Sequence, residues 1–273
     1  MPRKIGVHRL FVILIRLRVT SDLHLDSYRR AEATLLVSRL FGEGDYDVAV
    51  LAGDVANFPS LDRSLPMVLR AIPAHIPIVY VPGNHEHYQA EEEAQLDALV
   101  TSLGRENLHF LRERSITLKG LRFLGTTMWY RHGEAVKAIV RERNWPDFRW
   151  IPYIDESLDR WNARDEEALD RGLGSADIVV SHMLPHPACV SPRYEGSDTN
   201  VFFVNDQSAR LEALRSSGGK LPRVWLFGHT HEWIDTEREG VRFFARPMGY
   251  RKEYPERNAA VDLADQCTVT LRT

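Results

Sequence analysis

Cysteine is scarce in this sequence, with only Cys189 and Cys267 among 273 residues. Two cysteines exclude a disulfide framework and a zinc site built from cysteine. Two buried, apolar thiols instead fit a reducing compartment. We therefore expect a cytoplasmic protein.

Long hydrophobic runs are also missing, since no stretch approaches the roughly 18 apolar residues that span a bilayer. The apolar segment Leu10–Ile15 follows basic residues and superficially resembles a signal peptide. It is shorter than a signal core of about 7–15 residues, and the charged residues Arg16 and Arg18 come directly after it. We predict a leading strand here, preceded by a loose extension over residues 1–8, and we expect no membrane partner.

Neither sign of charge dominates: 35 Lys and Arg face 38 Asp and Glu, for a net charge of -3. This balance excludes a strongly basic nucleic-acid binder, although a local basic patch stays open. The length allows one or two domains. We favour a single domain over residues 1–273, because polar segments of one shared type run from Asp22 to His231 and a boundary would separate them.

Five segments share this pattern, a β-branched apolar run that ends abruptly in polar residues. They are residues 17–24, 48–54, 78–86, 178–182 and 224–231. Such short apolar runs predict buried strands. Helical patterns separate the early ones, so the sequence predicts an α/β fold.

Two helices are indicated between these strands. Asp26 or Ser27 can cap the first, and Gly42 comes just past its end. The acidic run Glu91–Glu93 is expected in the first turn of the second, as a solvated helix start favoured by the helix dipole.

The remaining chain shows two other patterns. Alternating residues around 119–120 and 239–240 predict two hairpins, and residues 267–271 predict a last strand. The stretch 129–161 fits neither pattern and holds four of the six tryptophans. We predict a partly helical, aromatic-rich insertion there, over one end of the sheet.

The polar residues after the strands indicate a metal site, since ligands of open α/β sheets bind beyond the carboxyl ends of strands. No Ser or Cys stands there as an obvious nucleophile. Imidazole and carboxylate together suit Mn, Fe, Zn or Ni, whereas oxygen alone would suit Mg or Ca. The donors outnumber the needs of one tetrahedral ion, so two adjacent divalent ions are expected.

Each of these signals alone would be an ordinary loop, turn or structural histidine. Their order is what carries weight: D-x-H, G-D-x-x-N, G-N-H-E, S-H and G-H-T-H, each after an apolar run. In this combination the sequence resembles the calcineurin-like metallophosphoesterase superfamily. Residues 123–130 and 247–250 further resemble a bacterial, mostly uncharacterised branch of it.

The resemblance implies a four-layer α/β/β/α sandwich with a dinuclear metal site at the carboxyl ends of the strands. It also implies hydrolysis of a small phosphomonoester or phosphodiester by attack of a metal-bridging hydroxide. By the same resemblance, one metal is held by Asp22, His24, Asp54 and His231. The second is held by Asp54, Asn84, His182 and His229. His85 matches a catalytic histidine that is not a ligand, and it would protonate the leaving oxygen or stabilise its charge.

One departure bears on the substrate. Protein phosphatases of this superfamily continue the second motif with Asp-Arg-Gly, whereas this chain has Asn57, Phe58 and Pro59. A phosphoprotein substrate is therefore not expected, and a small phosphorylated molecule is.

Five residues are candidates for substrate contact, most of them with an alternative. Trp129 and Tyr130 would stack on a base or aromatic leaving group, or else pack the insertion onto the sheet. His87 would line the pocket or stay outside it. Arg246 would contact phosphate or remain a surface cation, and Asn57 would face the substrate. Arginines of the insertion would grip a second phosphate; these are Arg131, Arg141, Arg143 and Arg149.

Two other functions compete with a small-molecule phosphoesterase. A nuclease is disfavoured by the charge of -3 and the lack of a basic stripe. A non-catalytic scaffold of the same fold would typically lose ligands or the catalytic histidine, and here every position is filled. The sequence leaves the oligomeric state open.

Overall fold

The computed structural model describes residues 13–42 and 44–272, so the predicted extension over residues 1–8 lies outside the described residues. The strands are β1 Leu14–Thr20, β2 Val48–Ala52, β3 Ile78–Val81, β4 Leu108–Phe110, β5 Arg114–Leu118, β6 Leu121–Gly125, β7 Ile178–Val180, β8 Val224–Phe227, β9 Ile234–Arg238, β10 Val241–Ala245 and β11 Thr268–Arg272. The α-helices are α1 Arg30–Phe41, α2 Phe58–Ala71, α3 Ala94–Ser102, α4 Glu134–Arg143, α5 Pro146–Trp150, α6 Ile154–Gly172, α7 Ser208–Ser216, α8 Pro255–Ala259 and α9 Leu263–Gln266.

The strands form two sheets, with the orders β11-β1-β2-β3-β4 and β5-β6-β7-β8-β10-β9. Strands β1 to β4 run parallel, as do β6, β7, β8 and β10. The edge strands β11, β5 and β9 are antiparallel to their neighbours. The two predicted hairpins and the last strand are confirmed by these pairings.

The apolar side chains divide into an inner cluster and two outer ones. Alternation along β2 shows the principle, since Val48 and Val50 face the second sheet while Ala49 and Leu51 face the helices. One outer cluster joins the first sheet to α1, α2 and α3, and the other joins the second sheet to α4, α6 and α7. The layers therefore run α/β/β/α, and the predicted sandwich is confirmed.

The two predicted helices exist, but both begin later than expected. Helix α1 begins at Arg30, because residues 25–27 form a separate 3₁₀ turn; the Glu32 carboxylate accepts the Arg29 N–H at 3.1 Å. Gly42 follows the last residue of α1, as predicted. Helix α3 begins at Ala94, so the acidic run precedes it. Glu93 is not solvated either, since it forms ion pairs with three arginines, Arg112, Arg160 and Arg164.

Helices α4 and α5 and the start of α6 lie within residues 129–161, and they pack against the outer face of the second sheet. Within the described ranges, no helix combines the length and the apolar character needed to cross a bilayer.

Candidate metal centre

The polar residues lie directly after the strands, at one edge of both sheets. Asp22 and His24 follow β1, Asp54 follows β2, and His229 and His231 follow β8. All five have φ between 40° and 65°. Residues other than glycine rarely adopt this left-handed backbone, which costs on the order of 1 kcal/mol or more each. The turns after these strands are therefore strained, and strained backbone is found most often at functional sites.

The turns after β1 and β8 bring together a first group of ligand atoms, from Asp22, His24 and His231, within 4.8 Å of one another. The Nε2 atoms of His24 and His231 are 3.0 Å apart, and His231 Nε2 is 3.5 Å from Asp22 Oδ1. The backbone N–H of His229 donates to the Asp22 carboxylate at 3.0 Å, which ties the two turns together.

A second group consists of Asp54, His182 and His229, again within 4.8 Å. His182 Nε2 is 3.3 Å from Asp54 Oδ2 and 3.1 Å from Asn84 Oδ1. Asp54 Oδ2 is also 3.8 Å from His24 Nε2 of the first group. The Asp54 carboxylate therefore lies between the two groups, and the structure brings all the predicted ligands together.

The electrostatics of this cluster favour cations. Burial lowers the pKa of His182, but the carboxylates of Asp54 and Asp22 and the Ala52 carbonyl together raise it, to about 10. Burial, together with His85, holds the pKa of His24 well below its usual range, so its imidazole is neutral. Two buried carboxylates beside several imidazoles are a donor set that binds transition metals once the imidazoles have lost their extra protons.

Close packing around the ligands requires glycine at two positions. A Cβ atom on Gly83 would collide with the Asp54 carboxylate and the His182 imidazole. On Gly228 it would lie 2.7 Å from Asp22 Oδ2. Backbone and ligand side chains can approach this closely only where the side chain is a hydrogen atom.

Glu86 links the turn after β2 to the turn after β3. Its fully buried carboxylate accepts the backbone N–H groups of Asp54, Val55 and Gly83 at 2.9, 2.7 and 2.7 Å. Burial raises its pKa to about 7. Its role is to orient the backbone on either side of the Asp54 side chain.

The hydrogen bonding of His24 is a second reason, besides the donor types, why these residues fit divalent ions. Nδ1 of His24 is buried without a hydrogen-bond partner, and its Nε2 faces another imidazole nitrogen at 3.0 Å. If His24 donated its Nε2–H to His231, its buried Nδ1 lone pair would have no donor; with the proton on Nδ1, two Nε2 lone pairs meet instead, and a cation between them would accept both. His24, Asp54 and His85 form a third such group.

His85 is held by Asn57, the residue that departs from the protein-phosphatase motif. Asn57 Oδ1 accepts the Nδ1–H of His85 at 2.7 Å, so Nε2 is the nitrogen left for the site. His85 Nε2 lies 3.9 Å from Asp54 Oδ2 and 3.4 Å from the Tyr250 hydroxyl. The partner of this histidine is thus an amide oxygen.

The insertion fixes the orientation of Asn84 through Asp147 of α5. The buried Asp147 carboxylate accepts hydrogen bonds from Asn84 Nδ2 at 2.8 Å, Tyr88 Oη at 2.7 Å and Tyr130 Oη at 2.8 Å. A carboxylate only accepts, so the amide nitrogen of Asn84 must face Asp147 and its oxygen must face His182. The ligand oxygen is therefore aimed by a residue of the insertion.

On the opposite side, Glu253 orients His231. Its carboxylate accepts from His231 Nδ1 at 2.7 Å and from the Tyr250 backbone N–H at 3.1 Å. The Tyr250 ring stacks on His24 with centroids 4.2 Å apart. A carboxylate behind a metal-binding histidine is the arrangement that fixes its tautomer.

A cavity of about 690 Å³ opens over the strand ends. Its floor includes Asp54, Asn84, His85, His229 and His231. Its walls come from the insertion, from residues 184–203 and from the turn before α8; they include Trp145, Trp150, Leu184, Val190, Tyr194, Phe203 and Tyr250.

Trp129 and Tyr130 do not face this cavity. The expectation that they stack on substrate is therefore wrong. They are 3% and 0% exposed. Trp129 stacks on Trp161, and Tyr130 packs edge-on against Phe202. The alternative holds instead, because both rings pack the insertion onto the sheet.

His87 and Arg246 are also structural. His87 is 1% exposed and bonds Tyr153 Oη at 2.9 Å, and burial lowers its pKa to about 3. Arg246 donates to the backbone oxygens of residues 234, 245 and 266 and packs over Phe244 at 4.0 Å. Neither residue lines the cavity. Asn57 does line it, as the sequence predicts.

Several residues at the site are not marked by the sequence motifs. Asp147, Trp145 and Trp150 lie within the aromatic-rich insertion, whose composition is the only signal for them. Tyr250 ends the segment 247–250 that supports the family resemblance. Nothing in the sequence marks Phe203, which the turn after the 3₁₀ segment Asp198–Phe202 places beside His229, with ring centroids 4.5 Å apart.

Comparison with known proteins agrees with this geometry. Residues 15–233 match the family model described as calcineurin-like phosphoesterase, so the chain belongs to that family. It is 26% identical over 268 residues to the uncharacterized protein L509 of Acanthamoeba polyphaga mimivirus, covering 87% of this chain and 92% of that one. The crystal structure of a phosphopantetheinyl hydrolase (PptH) from Mycobacterium tuberculosis has a similar fold, with a TM-score of 0.64 at 20% identity, over 93% of this chain and 95% of that one.

Proposed function

We propose that this protein is a dinuclear, metal-dependent hydrolase of small phosphomonoesters or phosphodiesters. The observation that carries the proposal is the position of Asp54, whose carboxylate belongs to the second ligand group and lies 3.8 Å from His24 of the first. One ion would be held by Asp22, His24, Asp54 and His231. The other would be held by Asp54, Asn84, His182 and His229. Divalent ions bound there would supply Lewis-acid activation of water and of the phosphoryl group.

The remaining chemistry falls to side chains of this chain. Hydrolysis adds water across the P–O bond, so the leaving oxygen must gain a proton. Asn57 accepts the Nδ1–H of His85, so Nε2 is the nitrogen that would face the phosphoryl group; His85 protonated at Nε2 as well would donate from it to the leaving oxygen. The hydrophobic walls would shield part of a bound ester from water.

The experiment measures metal content and hydrolysis in the wild type and in Asp54→Asn. We expect about two Mn, Fe, Zn or Ni ions per wild-type chain, and hydrolysis of p-nitrophenyl phosphate or its bis-ester. Asp54→Asn keeps the shape of the side chain but removes the shared charge, so most bound metal and nearly all activity should be lost. Asp45→Asn is the matched control, since Asp45 is exposed and pairs with Arg16 at 3.5 Å.

Full metal occupancy and rate in Asp54→Asn would contradict the assignment. A wild type that binds two metals but hydrolyses no phosphoester would instead be a scaffold of this fold. Preferred cleavage of DNA or RNA would make it a nuclease.

A further inference from the structure

We infer that the substrate carries a single phosphate group on an uncharged, largely apolar organic group that occupies the cavity beside the strand ends. The inference rests on the proposed function and names the substrate class of that site. Its basis is the composition of the cavity walls, which differ from the metal-binding floor.

The cavity is lined by rings and aliphatic side chains that begin directly at the floor. Phe203 lies against His229, and Trp145 lies edge-on to Phe203, with centroids 6.1 Å apart. Trp150, which is 38% exposed, forms the outer wall. An organic group attached to the phosphate would therefore lie along aromatic faces. Burial of its apolar surface against these rings would favour binding.

Of the described residues that line the cavity, none is lysine or arginine. Arg143 of the insertion pairs with Asp198 at 2.7 Å. Arg149 packs over Trp150, yet it does not itself line the cavity. The hypothesis that arginines of the insertion hold a second phosphate is therefore not supported by their positions.

The charged side chains that do line the walls are acidic. Glu253 and Asp147 are carboxylates, each already accepting hydrogen bonds from its neighbours. A second phosphate in the cavity would meet negative charge without a compensating side-chain cation, which is unfavourable in a partly dry site. The uncharged groups Gln89, Ser191 and Asn200 can instead hydrogen-bond a neutral organic group.

The first arm of the test is kinetic and uses metal-loaded protein. We expect kcat/KM for 1-naphthyl phosphate to exceed that for glycerol 2-phosphate, pyrophosphate and ADP. Trp150→Ala should raise KM for 1-naphthyl phosphate by roughly 2- to 10-fold, with little change for glycerol 2-phosphate. Arg141→Ala, at an exposed position of α4 in the same insertion, is the control and should leave both values near the wild type.

Higher kcat/KM for pyrophosphate or ADP, or an equal loss for every ester in Trp150→Ala, would overturn the inference.

The second arm measures binding, so that failure of the proposed function can be told apart. The dissociation constants of 1-naphthylphosphonate and methylphosphonate are compared by calorimetry in the wild type and Trp150→Ala. We expect the naphthyl compound to bind more tightly, and the difference to shrink in the variant. If no ester is hydrolysed but this difference holds, the catalytic proposal fails while the cavity assignment stands. Equal affinities would overturn the cavity assignment.

Discussion

At the scale of single residues, the proposed function makes His85 the proton donor to the leaving group and Asn57 the residue that orients it. In the structure, Asn57 holds Nδ1 and leaves Nε2 to the cavity. His85→Ala should keep bound metal but lose rate, because the removed group acts on the leaving oxygen. General acid catalysis is worth roughly 10²–10⁴-fold, and the loss should shrink for nitrophenolate, which needs no proton.

Metal content and rates for good and poor leaving groups check this prediction. Equal losses for both would indicate charge stabilisation instead of proton donation. Loss of metal would make His85 a ligand, as its proximity to His24 and Asp54 allows.

Asp147 determines which way the side-chain amide of Asn84 points. In Asp147→Asn the new amide can accept where the carboxylate did or donate, so it no longer forces the oxygen of Asn84 toward His182. We expect metal affinity to fall about 10- to 100-fold, as for other groups that orient ligands. Mn²⁺ titration by calorimetry measures it, with the exposed Asp159→Asn as control. Unchanged affinity with a lower Tm would mean that Asp147 only supports the insertion.

The clustering of the polar residues of the site could be predicted from the sequence because each follows an apolar strand, where turn residues have a fixed position relative to the sheet; their assignment as ligands came from the family resemblance. The cavity residues could not be predicted, because their direction depends on how the insertion folds. Trp129 and Trp145 look equivalent in the sequence, yet one is buried against Trp161 and the other lines the cavity.

At the scale of elements, helix α6 contains a buried aspartate that connects it to a neighbouring segment. Asp165 is 0% exposed; it accepts the Trp129 backbone N–H at 2.7 Å and a hydrogen bond from Thr126. It thereby joins α6 to the segment after β6. Burial raises its pKa to about 7, while an unfolded aspartate has a pKa of about 3.9.

This shift predicts the sign of a pH effect. Between about pH 4 and pH 7 the folded state holds a proton that the unfolded state has released, so this group's contribution to stability falls as pH rises. Asp165→Asn cannot titrate and should not show that fall. From pH 5 to pH 7, the unfolding free energy of the wild type should fall relative to the variant by up to about 1.4 kcal/mol per pH unit, the slope falling to about half of that at pH 7.

Urea unfolding of metal-free protein at pH 5, 6 and 7 tests it, with the exposed Asp155→Asn of the same helix as control. Parallel pH profiles for the wild type and Asp165→Asn would contradict the buried, protonated state.

Helix α2 shows why one element is hard to predict from the sequence. Its buried residues Leu61, Leu65, Val68 and Leu69 have helical spacing. Pro66 lies inside the helix, where proline removes a backbone hydrogen bond and usually ends a helix. The packing of this apolar stripe against α1 and the first sheet outweighs that loss.

At the scale of the whole molecule, the site joins the two sheets. Asp22, Asp54 and Asn84 follow strands of the first sheet, whereas His182 and His229 follow strands of the second. The α/β character could be predicted from the alternation of strands and helices. The division into two sheets came only from the family resemblance, because buried parallel strands have the same pattern in one sheet or two.

The pairing of β1 with β11 puts the first and last strands side by side, so we expect the fold not to depend on which residue begins the chain. Leu14 lies opposite Arg272 in an antiparallel pair, so a short Gly-Ser linker can join the two strands once residues 1–12 are removed. New ends can be opened between Gly218 and Gly219, in an exposed loop before β8, far along the strands from the ligands that follow them. We expect this circular permutant to fold and to bind metal as the wild type does, measured by circular dichroism and metal content. A permutant that folds but binds no metal would show that the strand ends depend on the original chain order.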